Sequence, residues 1–160
     1  MPTPELVHLD ADGWRDFRDV RLASLADSPY AFGSRHADWV DATEERWRAR
    51  LTDVPFTVVA RCGSGLVGVV SGVPSDDHVE LISLWVAPAQ RGTGLAGRLI
   101  AAVVAWATAL GRDTLLMVRD DNVQAIRAYE RAGFADLGVP PDRPADEPRE
   151  RRMRHAPRAG

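Results

Sequence analysis

The chain has 160 residues, 45% of them apolar, which suffices for one domain with a sizeable core and gives no reason to assume two. Its net charge of −3 argues against a nucleic-acid-binding surface, and because all twenty cationic residues are arginine, a Walker-type phosphate loop with its lysine is impossible. The single cysteine, Cys62, excludes an internal disulfide and a cysteine metal cluster, and suits a reducing compartment.

The opening segment, "MPTPELVHLDADGW", has no basic-plus-apolar leader pattern. Within it, residues 5–9 read as a short strand. Asp10 or Asp12 can cap a helix running to about residue 26, with Trp14, Phe17, Val20, Leu22 and Leu25 on its buried side. Pro29 and Gly33 interrupt the chain. A second, amphipathic helix is expected over 35–51, carrying Trp39, Val40 and Trp47 among many charges. Residues 56–61 and 66–73 form a hairpin around Cys62, Gly63, Ser64 and Gly65, and 79–87 is a third strand, mostly apolar. The next helix shows Leu95, Leu99, Val103, Trp106 and Leu110 on one face, with Gly111 as a left-handed cap. That stretch is broken by Arg98, Trp106 and Thr108 and falls short of the ~20 apolar residues of a membrane span, so a soluble, cytoplasmic protein is expected. Residues 114–118 read as a buried strand. The run "RDDNVQAIRAYERAG" reads as a short helix capped by Asp121 or Asn122 and closed by Gly133. "FADLGV" is a further strand, "PPDRPADEP" a loop and "RERRMRH" a last edge strand. One domain is expected over 1–156, with a disordered tail at 157–160. This order describes a mixed α/β layer fold.

The informative junction is "VAPAQRGTGLAGRL", where a strand passes through Gly92 and Gly94 into a helix. Unpaired N–H groups and the positive end of the helix dipole converge there, and glycine lets an anion approach the backbone. Gly92, Gly94 and Gly97 also fit the spacing of a dinucleotide-binding fingerprint. That fingerprint, however, follows the first strand and has its acidic residue after a second parallel strand, whereas here a hairpin precedes the loop and Asp113 comes before strand 114–118.

The order of elements and two motifs together resemble the GNAT superfamily of acyl-CoA-dependent N-acetyltransferases. Arg91-Gly92-Thr93-Gly94-Leu95-Ala96 matches its pyrophosphate loop, and Asn122, Ala125, Tyr129, Gly133 and Phe134 match its second motif, over about residues 55–138 in order. The resemblance implies the acyl-CoA N-acyltransferase fold: a twisted, mostly antiparallel sheet of about six or seven strands with about four helices. It also implies acetyl-CoA as acyl donor, no metal, and a primary amine as acceptor. The pyrophosphate would rest on the amides of Arg91 to Ala96, the pantetheine arm along Leu84, Trp85 and Val86, and the second motif would add Asn122, Ala125 and Tyr129. Tyr129 resembles the family's general acid and Glu80 its base, with His78 a substitute. Tyr30, Phe32, Trp39 and Glu80 would face the acceptor, alongside Trp47 and a late loop at 139–148. Asp38, Asp41, Glu44 and Glu45 could attract a cationic amine or form a solvated helix face. The resemblance brings no nucleic acid or membrane partner and leaves room for a homodimer. A non-catalytic acyl-CoA-binding module on the same fold is the alternative, against which Tyr129 together with Glu80 favours an enzyme.

Overall fold

The computed structural model describes residues 3–28 and 35–157. Strand β1 (Glu5–His8) leads through a short 3-10 turn, capped by Asp10 accepting from the Asp12 N–H, into helix α1 (Trp14–Asp27). The expected helix over 35–51 is two pieces, α2 (His36–Trp39) and α3 (Glu44–Asp53). The break falls where the Thr43 hydroxyl accepts from the Arg46 N–H, so an N-cap starts a new helix instead of the chain continuing the old one. Strands β2 (Phe56–Cys62), β3 (Gly65–Pro74) and β4 (His78–Val86) form an antiparallel meander. Helix α4 (Leu95–Ala109), strand β5 (Asp113–Arg119), helix α5 (Val123–Arg131), and strands β6 (Ala135–Asp136) and β7 (Glu150–His155) complete the chain.

The seven strands lie in one sheet in the order β1-β2-β3-β4-β5-β7-β6, antiparallel throughout except for the parallel β4–β5 pair. This is the expected mixed fold, with one correction. The segment "RERRMRH" is not an edge: β7 lies between β5 and the two-residue β6, with Met153 fully buried. A row of arginines reads as an edge, but alternation lets β7 turn Met153 inward while Arg152 and Arg154 flank it.

Helices cover both faces. On one, α4 and α5 pack over Val79, Leu81, Leu116 and Val118. Leu95, Leu99, Ile100, Val103 and Ala107 form the buried stripe of α4. Trp106 is only half-buried, stacked on Phe56 at 4.8 Å, and Leu110 is exposed, because Gly111 (φ 70°) turns the chain away one residue later. Met117 likewise faces outward, so β5 is fully buried on one side only. On the opposite face, α1 and α3 pack Trp14, Phe17, Val20, Trp47 and Leu51 against Val59, Val69 and Trp85. Leu22 is only partly buried; Arg21 and Ser24 take places in the buried stripe instead. Among the described residues no helix is long and apolar enough to cross a membrane.

Candidate active site

The β4–β5 pair carries the site. Its ladder holds only at His78–Asp113, Val79–Thr114 and Glu80–Leu115; beyond Glu80 the two strands separate. Residues 81–86 of β4 and 116–119 of β5 therefore border an open fork in the sheet. The fork forms because β4 carries a bulge. Val69 faces Trp85 but Ser71 faces Ile82, so β4 has an extra residue, and Ser83 takes φ 61°, the only positive φ at a non-glycine among the described residues. A bulge bends and twists its strand, which drives β4 away from β5. It also exchanges faces: Leu81 and Leu84 pack on the α4 side, Trp85 on the α1 side. The Ala87 N–H donates back to the Val67 carbonyl at 2.8 Å, so by strand alternation the Val86 N–H points to the fork.

The glycine junction stands at the far end of β4. Pro88–Gln90 make a 3-10 turn, and Gly92 (φ 79°) and Gly94 (φ 87°) sit in the left-handed region, with open space where a Cβ would be. Gly94 is the N-cap of α4 and offers no side chain to cap it. Thr93 spends its hydroxyl on the Gln90 carbonyl at 2.6 Å, and among the described residues no turn or loop bond begins at the N–H of 92 to 96. A helix start with bare N–H groups, open space and a dipole behind it fits a pyrophosphate. Arg91 contributes its backbone there, since its guanidinium is engaged elsewhere: Nη2 donates to Asp27 Oδ2 at 2.6 Å and Nε to the Val86 carbonyl at 3.2 Å.

Tyr129 and Glu80 lie on opposite faces of the sheet, Glu80 at the last rung of the β4–β5 ladder. Tyr129, on α5, is buried in the core cluster that includes Leu116 and Val118, and the Phe134 ring lies 5.6 Å from its own. Burial pushes its phenol well above the ordinary tyrosine range, so it stays protonated. Asn122, one residue before α5, caps it by accepting from the Ala125 N–H at 3.2 Å, and Ile126 lies half-buried between Asn122 and Tyr129. Glu80 is paired in register with Val73 and shares its face with Ile82 and Ser71, the side of α1 and α3. Glu80 Oε2 lies 3.3 Å from His78 Nε2, and His78 Nδ1 lies 2.8 Å from Asp77 Oδ1. The two base candidates are thus one connected pair.

The acetyltransferase (GNAT) family model matches residues 19–134, more than half of the chain. The chain belongs to the GNAT family of acetyltransferases. An uncharacterized N-acetyltransferase of Mycobacterium tuberculosis is 34% identical over 125 residues, covering 75% of this chain and 80% of that protein. Among solved structures, a GNAT-family acetyltransferase of Streptococcus pneumoniae superposes with TM-score 0.75 at 16% identity, over 94% of this chain and 96% of its own. A phosphinothricin acetyltransferase of Sinorhizobium meliloti, in complex with AcCoA, superposes with TM-score 0.73 at 18% identity, over 96% and 88%.

For the residues expected to face the acceptor, the outcomes divide. Tyr30 and Phe32 lie outside the described residues. Trp39 packs tilted against Trp47, ring centroids 4.8 Å apart, with the Arg46 guanidinium 3.9 Å over its ring, which is amphipathic helix packing, and Trp47 is fully buried. Asp38, Asp41, Glu44 and Glu45 are exposed on a face where Glu44 pairs with Arg48. The loop before β7 encloses a pocket of about 200 Å³ with Met117, Arg143 and Glu150 on its walls. Three residues were not singled out from sequence. Asp27 accepts from both Arg91 and the Trp85 indole N–H (2.9 Å), tying the end of α1 to the fork and the glycine junction. Arg21 is buried on α1, and Arg50 reaches from α3 to Ser83 of the bulge. Their only signal in the sequence is a cation at a position where the helical stripe calls for an apolar residue.

Proposed function

We propose that this acetyltransferase moves the acetyl group of acetyl-CoA onto a primary amine by direct attack, with donor and amine entering the fork from opposite faces of the sheet. Acetyl-CoA is the donor and supplies an activated thioester. The bare amides of Gly92 to Ala96 would hold its pyrophosphate, and Leu84 to Val86 would pair with its pantetheine arm as an added strand. The observation that carries the reading is the abrupt end of the β4–β5 ladder at Glu80, with the glycine junction at the other end of the same open strand.

Glu80 faces the amine from the α1 side and takes the ammonium proton, directly or through His78, which frees the nitrogen lone pair. That lone pair attacks the thioester carbonyl carbon. The Val86 N–H, aimed at the fork, stabilises the oxygen as it gains charge. The C–N bond forms, the C–S bond breaks, and Tyr129 gives its proton to the departing thiolate; the second amine proton leaves by way of Glu80, and bulk solvent returns a proton to Tyr129. The raised pKa of Tyr129 keeps the phenol loaded but makes it a weaker acid, so its proton moves late, when sulfur carries nearly full charge. The domain expected over 1–156 is proposed to act as one unit, since both faces of one sheet are needed.

The test is free-thiol release with acetyl-CoA and a mixed panel of amines. Release that depends on an amine supports transfer. Saturable acetyl-CoA binding with no release for any amine would favour the non-catalytic acyl-CoA-binding module.

A further inference from the structure

Resting on the transfer reading above, we propose that the acceptor is an amine that also carries an anionic group, a carboxylate in the simplest case, and that Arg50 binds that anion beside the bulge of β4. Arg50 extends from α3 over the Phe17 ring, 5.0 Å from its centroid, towards the sheet face that presents Glu80. Its Nη2 reaches the hydroxyls of Ser71 and Ser83, both at 3.4 Å, which is the outer limit of a hydrogen bond. Ser71 is already committed to Thr57 at 2.8 Å. Arg50 Nη1 is buried with no hydrogen-bond partner among the described residues, and none of the ion pairs formed there includes Arg50. The segments outside the described residues hold no Asp or Glu either: 29–34 reads Pro-Tyr-Ala-Phe-Gly-Ser.

A second guanidinium, Arg21, adds its positive potential from α1. Arg21 is 7% exposed and close enough to Arg50 for the two charges to repel. Burial, and then Arg50, lower Arg21 to about 10; burial alone lowers Arg50 to about 10. Both remain charged at neutral pH. A fold does not ordinarily bury an Arg50 donor with no acceptor, because an uncompensated buried charge is strongly destabilising. A planar guanidinium with a free edge matches a carboxylate, which can accept two N–H bonds from it.

The location specifies what the anion belongs to. Ser83, the residue Arg50 touches, is the bulge residue that opens the fork, and Glu80 lies on the same strand face three residues earlier, a span of about 10 Å at about 3.3 Å per residue. An amine that reaches the fork beside Glu80 while its anion meets Arg50 has the two groups within a few bonds of each other. Free amino acids have that shape.

The experiment measures thiol release for the common L-amino acids and, for each, its carboxamide, which keeps the amine and removes the charge. The amide's amine is less basic, so more of it is unprotonated at neutral pH, and the comparison is biased against the proposal. The best acid should exceed its amide in kcat/KM by about 10²-fold or more, the effect of leaving a buried charged donor unpaired. In Arg50→Met that ratio should fall towards one, and Arg50→Lys should retain part of it, with thermal melts confirming that both fold. A wild-type ratio of one or below, or a ratio undiminished in both variants, overturns the proposal. If neither series releases thiol, calorimetry of N-acetyl amino acids and their methylamides against the CoA-saturated wild-type protein decides. Heat from the anions alone upholds the anion site while transfer itself is refuted; no heat from either overturns the anion site too.

Discussion

The two faces of the sheet are built on different terms. Under α4 and α5 the buried contacts are almost wholly hydrocarbon, from Leu95, Leu99, Ile100 and Val103 to Leu116 and Met153, with Tyr129 the one phenol among them. Under α1 and α3 an aromatic core of Trp14, Phe17 and Trp47 surrounds Arg21, Ser24, Thr57, Ser71 and Arg50. An apolar face is satisfied by packing alone. The charged one needs partners, and among the described residues Arg50 Nη1 has none. The first face is thus held by packing, and the second is where the acceptor is proposed to arrive.

The contrast is sharpest in stability. Leu99→Ala, which empties a fully buried site on the apolar face, should cost about 2–5 kcal/mol. Leu110→Ala at the exposed end of the same helix should stay within about 0.5 kcal/mol. Denaturant unfolding of the pair checks both, and equal losses would break the assignment of α4's buried stripe. Tyr129→Phe removes one hydroxyl from that face while keeping the ring against Phe134. Turnover should fall by about 10²-fold or more, with little change in melting temperature or acetyl-CoA affinity. Normal turnover would make Tyr129 a packing residue only.

Gly94→Val probes the junction between the faces. The new side chain meets no neighbour but must adopt φ 87°, at a cost of about 1–3 kcal/mol, and it would stand where the phosphates are proposed to bind. Acetyl-CoA affinity by calorimetry should fall about tenfold or more, the equivalent of about 1.4 kcal/mol. The smallest effect belongs to Asp27→Ala, which releases Trp85 and Arg91 and should cost about 1 kcal/mol at neutral pH. The Trp85 indole N–H, and after it Arg91, hold the Asp27 carboxyl below the usual carboxylate range. A group with a depressed folded pKa stabilises above its unfolded pKa and loses that contribution as pH falls through the folded value. Melting curves of wild type and variant should therefore be furthest apart near pH ~5–7 and converge below about pH 4, where an unperturbed aspartate takes its proton.

Local chemistry was legible wherever it depends on neighbours in the chain. The strands and most helix ends follow from period and caps: Asn122 caps α5, and Gly111 and Gly133 take the left-handed turn that ends α4 and α5. The glycine junction and the Asn122–Tyr129 helix were readable for the same reason, as was the membership of a family that shares both. The Thr43 cap that divides α2 from α3 was readable in principle but hidden by an amphipathic pattern running across it.

The sequence by itself determined most of the order of elements, most of the buried stripe of α4 and the two family motifs, because each is written within a few residues. Tertiary structure alone decided the rest. Whether β7 is interior depends on pairing Met153 with Leu116 and Asp136, and the fork depends on a bulge defined only against β3. Asp27 meets Trp85 and Arg91 across 58 and 64 residues, and Arg21 meets Arg50 only once α1 and α3 lie on one sheet face. Burial of a charge is set by what surrounds it in space, and a periodic pattern along the chain carries no record of that.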